Sequence, residues 1–162
     1  MRGYVGGVGI LWDPNRVNFE GIHGNQCFIS TDFKVIGFSL EGVLTNVYRH
    51  HNTGEKMSFI TVLQKIHEET ERRHWILGGD FNLITSLDEK KGGRCWSEEE
   101  CEIFRDTIED LRLVDITPSE GRFTWNNKRK GDSHIASLQD RFLVSKSIID
   151  LGSELQSSII LG

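Results

Sequence analysis

Residues 75–84 read WILGGDFNLI, and the reading of this stretch decides the fold. Its apolar residues predict a buried strand, yet Gly78, Gly79, Asp80 and Asn82 interrupt it near its end. Side chains alternate between the two faces of a strand. Trp75, Leu77, Phe81 and Leu83 are therefore expected on one face, and Asp80 and Asn82 on the other, behind the space left by Gly78. A carboxylate beside an amide suits chemistry on a phosphate, because the acid orients or deprotonates water and the amide donates to a developing oxyanion. An Asx turn that closes a strand uses the same residue types. Local physics leaves both readings open.

Outward from this stretch the pattern is that of a layered α/β domain. Upstream, residues 4–12, 27–31, 34–40 and 42–48 are predicted strands, the last of them rich in β-branched residues (GVLTNVY). Phe59, Val62, Leu63 and Ile66 recur at helical spacing and predict an amphipathic helix over 53–73. Downstream, a glycine-bearing loop over 88–96 leads to a second helix. Its start is marked by Ser97 and Glu100 in capping-box spacing, and its stripe by Ile103, Phe104, Ile108 and Leu111. Two more strands, 122–126 and 137–145, flank the basic turn NKRKGD, and a short helix over 146–152 follows.

The chain of 162 residues, 37% of them hydrophobic, is long enough for one domain with a substantial core. It has no apolar stretch of membrane-spanning length and no signal-peptide layout, which sets a soluble intracellular protein as the expectation. Cys27, Cys95 and Cys101 are scattered and lack metal-binding spacing, so they are read as ordinary thiols. The glycines of GYVGGVGI fit neither phosphate-loop spacing. A net charge of −5 argues against a surface that grips nucleic acid all over. Basic residues nonetheless gather in two loops, Lys90, Lys91 and Arg94 in one and Lys128, Arg129 and Lys130 in the other. These are either solvated surface charge or contacts to a phosphate backbone.

Two further positions stand out. Asp140, in SLQDRFLVS, alternates with Leu138, Phe142 and Val144 and so is expected on an apolar face. A charge there needs a partner. It either orients a histidine or sits near a metal, or it pairs with a nearby arginine. Tyr48 ends its strand on the same face as Asn46, where its hydroxyl meets either a phosphate or water. His50 and His51 are read as loop residues.

GGDFN, then FTWNN, then QDRFLVS, preceded by GGVGILWDP and LTNVY and joined by EKKGGR, resembles the endonuclease/exonuclease/phosphatase superfamily. Within it, the pattern is most similar to the apurinic-endonuclease-like domain of plant non-LTR (LINE-type) retrotransposons. The resemblance runs over nearly the whole chain in the right order. It implies a DNase I-like four-layer αββα sandwich, with residues 1–162 as a partial domain truncated at both ends. It also implies Mg-dependent phosphodiester hydrolysis with DNA as partner, and a nuclear location for a retroelement product. By the same resemblance, Asp80 orients or activates water and Asn82 contacts the phosphate. Asp140 supports a catalytic histidine, and Tyr48 lies near the scissile phosphate. Lys128, Arg129, Lys130 and Arg94 are candidate nucleic-acid contacts.

The departures are specific. Relatives carry an asparagine strand and a metal-binding glutamate before the first segment matched here, and a Ser-Asp-His motif after the last. None of the six histidines of this chain follows Ser-Asp. Arg49, His50 and His51 follow Tyr48 where relatives have a small residue and proline, and Gln139 stands where they have an apolar one. Catalytic groups that act as a unit lose most of their effect when one is removed. The expectation is a fragment of a Mg-dependent endonuclease without appreciable activity as this chain. A folded remnant without function and a nucleic-acid-binding module that uses the basic loops are the alternatives.

Overall fold

The computed structural model describes residues 9–49, 56–70, 73–152, 155 and 157. His50, His51, residues 4–8 of the first predicted strand and residues 158–162 of the final SSIILG lie outside the described residues.

Three antiparallel strands open the fold: β1 (Val17–Gly24), β2 (Phe28–Val35) and β3 (Glu41–Tyr48). Helix α1 (Lys56–Glu69) then carries the chain across, and β4 (His74–Asp80) returns parallel to β3. A helix between two parallel strands is the expected crossover. A two-residue strand β5 (Lys90–Lys91), helix α2 (Glu98–Asp110) and strand β6 (Leu113–Asp115) follow. The short strands β7 (Trp125–Asn126) and β8 (Ala136–Ser137), then β9 (Asp140–Ser145) and a single turn α3 (Lys146–Ile149), complete it. One six-stranded sheet runs β1-β2-β3-β4-β9-β6, and a three-stranded sheet runs β5-β8-β7.

One face of the large sheet is covered by helices. Val43, Val47, Trp75, Leu77 and Leu143 from the strands meet Phe59, Leu63 and Ile66 of α1 and Phe104 of α2 in a single buried cluster. Phe81 joins the two helices, packing edge-on to Phe59 and tilted against Phe104 at 6.1 and 5.7 Å between centroids. Buried polar groups on this face are paired: Ser30 Oγ lies 2.8 Å from Thr45 Oγ1, which also accepts from Trp75 Nε1 at 2.9 Å. A helix layer on a sheet is one half of the four-layer arrangement. The other face carries Ile22, Leu44, Ile76 and Phe142, and among the described residues it remains at least partly exposed at each of them.

Several predicted elements shift for physical reasons. Residues 9–12 are not in a strand, and β1 was not anticipated. Residues 27–31 and 34–40 are one strand and a turn, because Gly37 takes φ +81° and reverses the chain. The strand of WILGGDFNLI ends at Asp80, and that of residues 137–145 is interrupted before Asp140. On α2 the capping box forms in both directions, Ser97 Oγ accepting from the Glu100 N–H and Glu100 accepting from the Ser97 N–H. The stripe is rotated from the predicted one, since Ile103 faces out while Cys101 and Thr107 are buried.

Candidate active site

Strand register brings the predicted residues together. Tyr48 on β3 pairs with Asp80 on β4, and Asp80 pairs with Asp140 on β9. Paired residues put their side chains on the same face. Tyr48, Asp80 and Asp140 therefore form a row across three adjacent strands, on the face away from the helices. Asp80 and Asp140 are thus directly opposed carboxylates on neighbouring strands.

Asp140 corrects the sequence reading. Of the residues expected on its face, Leu138 and Val144 are buried, but Asp140 is exposed and Phe142 is 50% exposed, while Arg141 and Leu143 point into the core. The carboxylate of Asp140 makes no hydrogen bond or ion pair among the described residues; only its backbone N–H is held, by Thr124 Oγ1 at 3.0 Å. The space predicted in front of Gly78 is also filled. A Cβ on Gly78 would lie 2.7 Å from Cε1 of Phe142, so the ring occupies it.

Asn82 lies beyond the strand, with φ +48°, so alternation does not place it beside Asp80. The turn reading is realised here: Asp80 Oδ1 accepts from the Asn82 backbone N–H at 3.0 Å. Asn82 Nδ2 donates to the Arg49 carbonyl at 2.7 Å, and Arg49 donates back to the Asn82 carbonyl at 3.1 Å. An amide nitrogen has two hydrogens, and this contact uses one. A strand-closing turn and a group able to donate to a phosphate are thus compatible in one residue pair. Buried Phe81 between them anchors both to the core.

Arg141, which sequence reading did not single out, is the buried charge of this region. Its guanidinium forms ion pairs with Glu89 and with Asp115, and it lies 5.8 Å from the ring of Phe104. Glu89 in turn accepts from the Thr85 N–H and hydroxyl at 2.7 and 2.8 Å, tying down the loop after Asn82. Burial pushes the Asp115 carboxyl above its usual range, and the Arg141 guanidinium draws it back.

The two basic loops differ in how their charges are paired. Lys128, Arg129 and Lys130 are exposed on the turn after β7, whereas Arg94 pairs with Glu100 at 3.2 Å. Lys56 pairs with the same Glu100, and that hydrogen bond is the main reason the carboxyl is held below its usual range. Among the described residues no group of three or more His, Cys, Asp and Glu side chains gathers as metal ligands. Mg²⁺ is commonly held by one or two carboxylates with waters and substrate phosphate oxygens completing its shell. Asp80 and Asp140, register partners on adjacent strands, are the two carboxylates of the row. No helix among the described residues is long and apolar enough to cross a membrane.

Solved structures share this fold. The endonuclease domain of TRAS1, a telomere-specific non-LTR retrotransposon, matches 78% of this chain and 53% of its own, at 18% identity and a TM-score of 0.59. A Bacteroides thetaiotaomicron protein of the endonuclease/exonuclease/phosphatase family matches 84% of this chain and 54% of its own, at 14% identity and a TM-score of 0.56. The chain has the endonuclease/exonuclease/phosphatase fold. The same DNase I-like fold is seen in D. rerio TDP2 complexed with a single-strand DNA product, which matches 82% of this chain and 55% of its own at 17% identity and a TM-score of 0.50. The chain spans about half the length of these structures. No family model and no curated protein matches it.

Proposed function

We propose that this chain is part of a phosphodiester-hydrolysing nuclease domain of retrotransposon type, with Tyr48, Asp80, Asn82 and Asp140 as its catalytic positions. The observation that carries the reading is the cross-strand row Tyr48–Asp80–Asp140, continued by Asn82 through the turn. Asp80 is placed to orient water and accept its proton. Asn82 retains an amide hydrogen for a phosphate oxygen, and Tyr48 is the register partner of Asp80 in the row. Asp80 and Asp140 would hold Mg²⁺, which supplies charge stabilisation at the phosphate when bound. The retrotransposon endonuclease domain and the DNA-bound TDP2 among the structural neighbours support DNA as the substrate class.

The same inventory argues for weak chemistry. Among the described residues no histidine stands in the row and no third acid gathers there. Groups acting as a unit fail steeply when members are absent. The chain by itself is expected to nick supercoiled plasmid with Mg²⁺ no faster than the Asp80→Ala variant does. Nicking by the wild-type chain that Asp80→Ala abolishes would show instead that this chain suffices for catalysis.

A second reading, a non-catalytic nucleic-acid-binding module, is favoured by the exposed Lys128, Arg129 and Lys130 on their turn.

A further inference from the structure

The helix-free face of the six-stranded sheet carries one register row from edge to edge. Ile22 on β1 pairs with Thr31 on β2, Thr31 with Leu44 on β3, and Leu44 with Ile76 on β4. Ile76 then pairs with Val144 on β9, and Val144 with Val114 on β6. Paired residues share a face, and every member of this row but Thr31 is aliphatic. The neighbouring row adds Ile29 and Phe142. Thr31 and Val144 are buried, but Ile22 is 77% exposed, Phe142 is half-exposed, and Leu44, Ile76 and Val114 are only half-buried. Residues 9–12 cross the same face. The Gly9 carbonyl accepts from Asn46 Nδ2 at 2.9 Å, and Trp12, itself half-exposed, packs edge-on against Phe19 at 5.0 Å.

An apolar sheet face is stable when another layer covers it, and a contiguous exposed apolar patch marks an interaction surface. The dimensions and the polar ends of this face match a second copy of the chain. Six strands at about 4.8 Å spacing, paired over about five residues each, present a face of about 29 by 17 Å. Two such faces together remove on the order of 1,000 Å² from water, the size at which specific protein interfaces begin. A second copy matches the width because it is the same sheet, and a two-fold pair of identical patches is closed. The polar residues of the face lie at opposite ends of the strands. Tyr48, Asp80 and Asp140 are at one end, and His74, at the start of β4, is at the other. A two-fold axis along the strands would set the two acidic rows against each other, which like charge disfavours. An axis across the strands, over the aliphatic row, sets each acidic row over the His74 end of the partner.

We propose that two copies of this chain pack their helix-free sheet faces together about a two-fold axis across the strands, aliphatic row on aliphatic row, with the helices outside. The arrangement does not rest on the nuclease reading. The Tyr48–Asp80–Asp140 row lies at its rim rather than at its centre.

Sedimentation equilibrium of the full chain over a micromolar concentration range, without metal or nucleic acid, is the test. The wild-type chain is expected at twice its monomer mass. Ile22→Glu and Phe142→Glu are each expected to raise the dissociation constant at least about tenfold, because each sets a charge inside a desolvated interface. His74→Glu is expected to raise it at least about tenfold as well, by opposing the acidic row of the partner. Ile103→Glu, an exposed position on α2, is the control and should leave the constant unchanged. Far-UV circular dichroism reports folding of each variant, and Ile22→Glu keeps the test valid even if Phe142→Glu unfolds, since Ile22 is the more exposed. A wild-type chain that stays monomeric would overturn the proposal and leave the face to a different partner. So would a dimer that survives Ile22→Glu and Phe142→Glu, or one that only Ile103→Glu breaks. A mass that keeps climbing with concentration would show open-ended stacking instead of a closed pair, and unchanged association in His74→Glu would overturn the axis across the strands. Neither cleavage nor metal is read, so failure of the nuclease reading and failure of this one are distinguishable.

Discussion

Arg141→Ala is expected to destabilise the fold by about 3–5 kcal/mol, the range for removing one partner from a buried ion pair. The side chain is 1% exposed, and its guanidinium is the shared partner of Glu89 and Asp115. Its removal leaves those carboxylates facing each other with little access to water. Burial already pushes Asp115 upward, with Arg141 opposing the shift. In the variant the opposing charge is gone and the rise becomes larger. A raised carboxyl pKa in the folded state means that ionisation works against folding. The deficit should therefore be fullest near neutral pH and shrink as acid protonates the unpaired groups. Urea unfolding at pH 7 and at pH 4.5 measures this: a smaller gap between variant and wild type at the lower pH is the expected result. Equal gaps at both values would mean that the arginine acts through packing alone. The consequences reach the site, because Arg141 adjoins Asp140 and Glu89 ties the loop after Asn82.

Gly79→Ala is expected to cost about 3 kcal/mol or more, combining backbone strain with overpacking. Gly79 has φ +126°, and a Cβ there would lie 2.1 Å from the carbonyl oxygen of Val47 and 2.5 Å from Oδ1 of Asn46. Both contacts are on β3, the strand that carries Tyr48. The substitution forces β3 and β4 apart at the pair adjoining Tyr48–Asp80. Gly37→Ala is the matched comparison, since Gly37 has φ +81° but nothing within 4 Å of an added Cβ. Its cost, about 1–2 kcal/mol, isolates the conformational part. Equal losses in the two variants, read by urea titration, would contradict the steric account of Gly79.

Much of the frame was legible because it is local. The stripe of α1, the capping box from Ser97 to Glu100 and the buried side of WILGG depend on residues within a turn or a strand of one another. Strand β1 was missed because VNFEGIHG carries no apolar alternation strong enough to mark it, and its pairing with β2 includes a bulge between Glu20 and Ile22. The face of Asp140 is buried at Leu138 and Val144 but open at Phe142 and Asp140, and alternation alone does not show where the cover ends. Arg141 was passed over because its partners lie 52 and 26 positions away, and nothing local announces them. The row of Tyr48, Asp80 and Asp140 is intermediate: each residue was picked out singly, but their alignment needs the register of three strands.

That alignment is the central claim, and paramagnetic relaxation by Mn²⁺, a stand-in for Mg²⁺, tests it most directly. Titrated into isotopically labelled chain, Mn²⁺ should broaden the backbone amide signals around Asp80 and Asp140 together with those around Tyr48. Asp80→Ala and Asp140→Ala should each weaken that broadening. Broadening centred instead on the acidic start of α2, or left unchanged by both substitutions, would contradict an assembled site on the row.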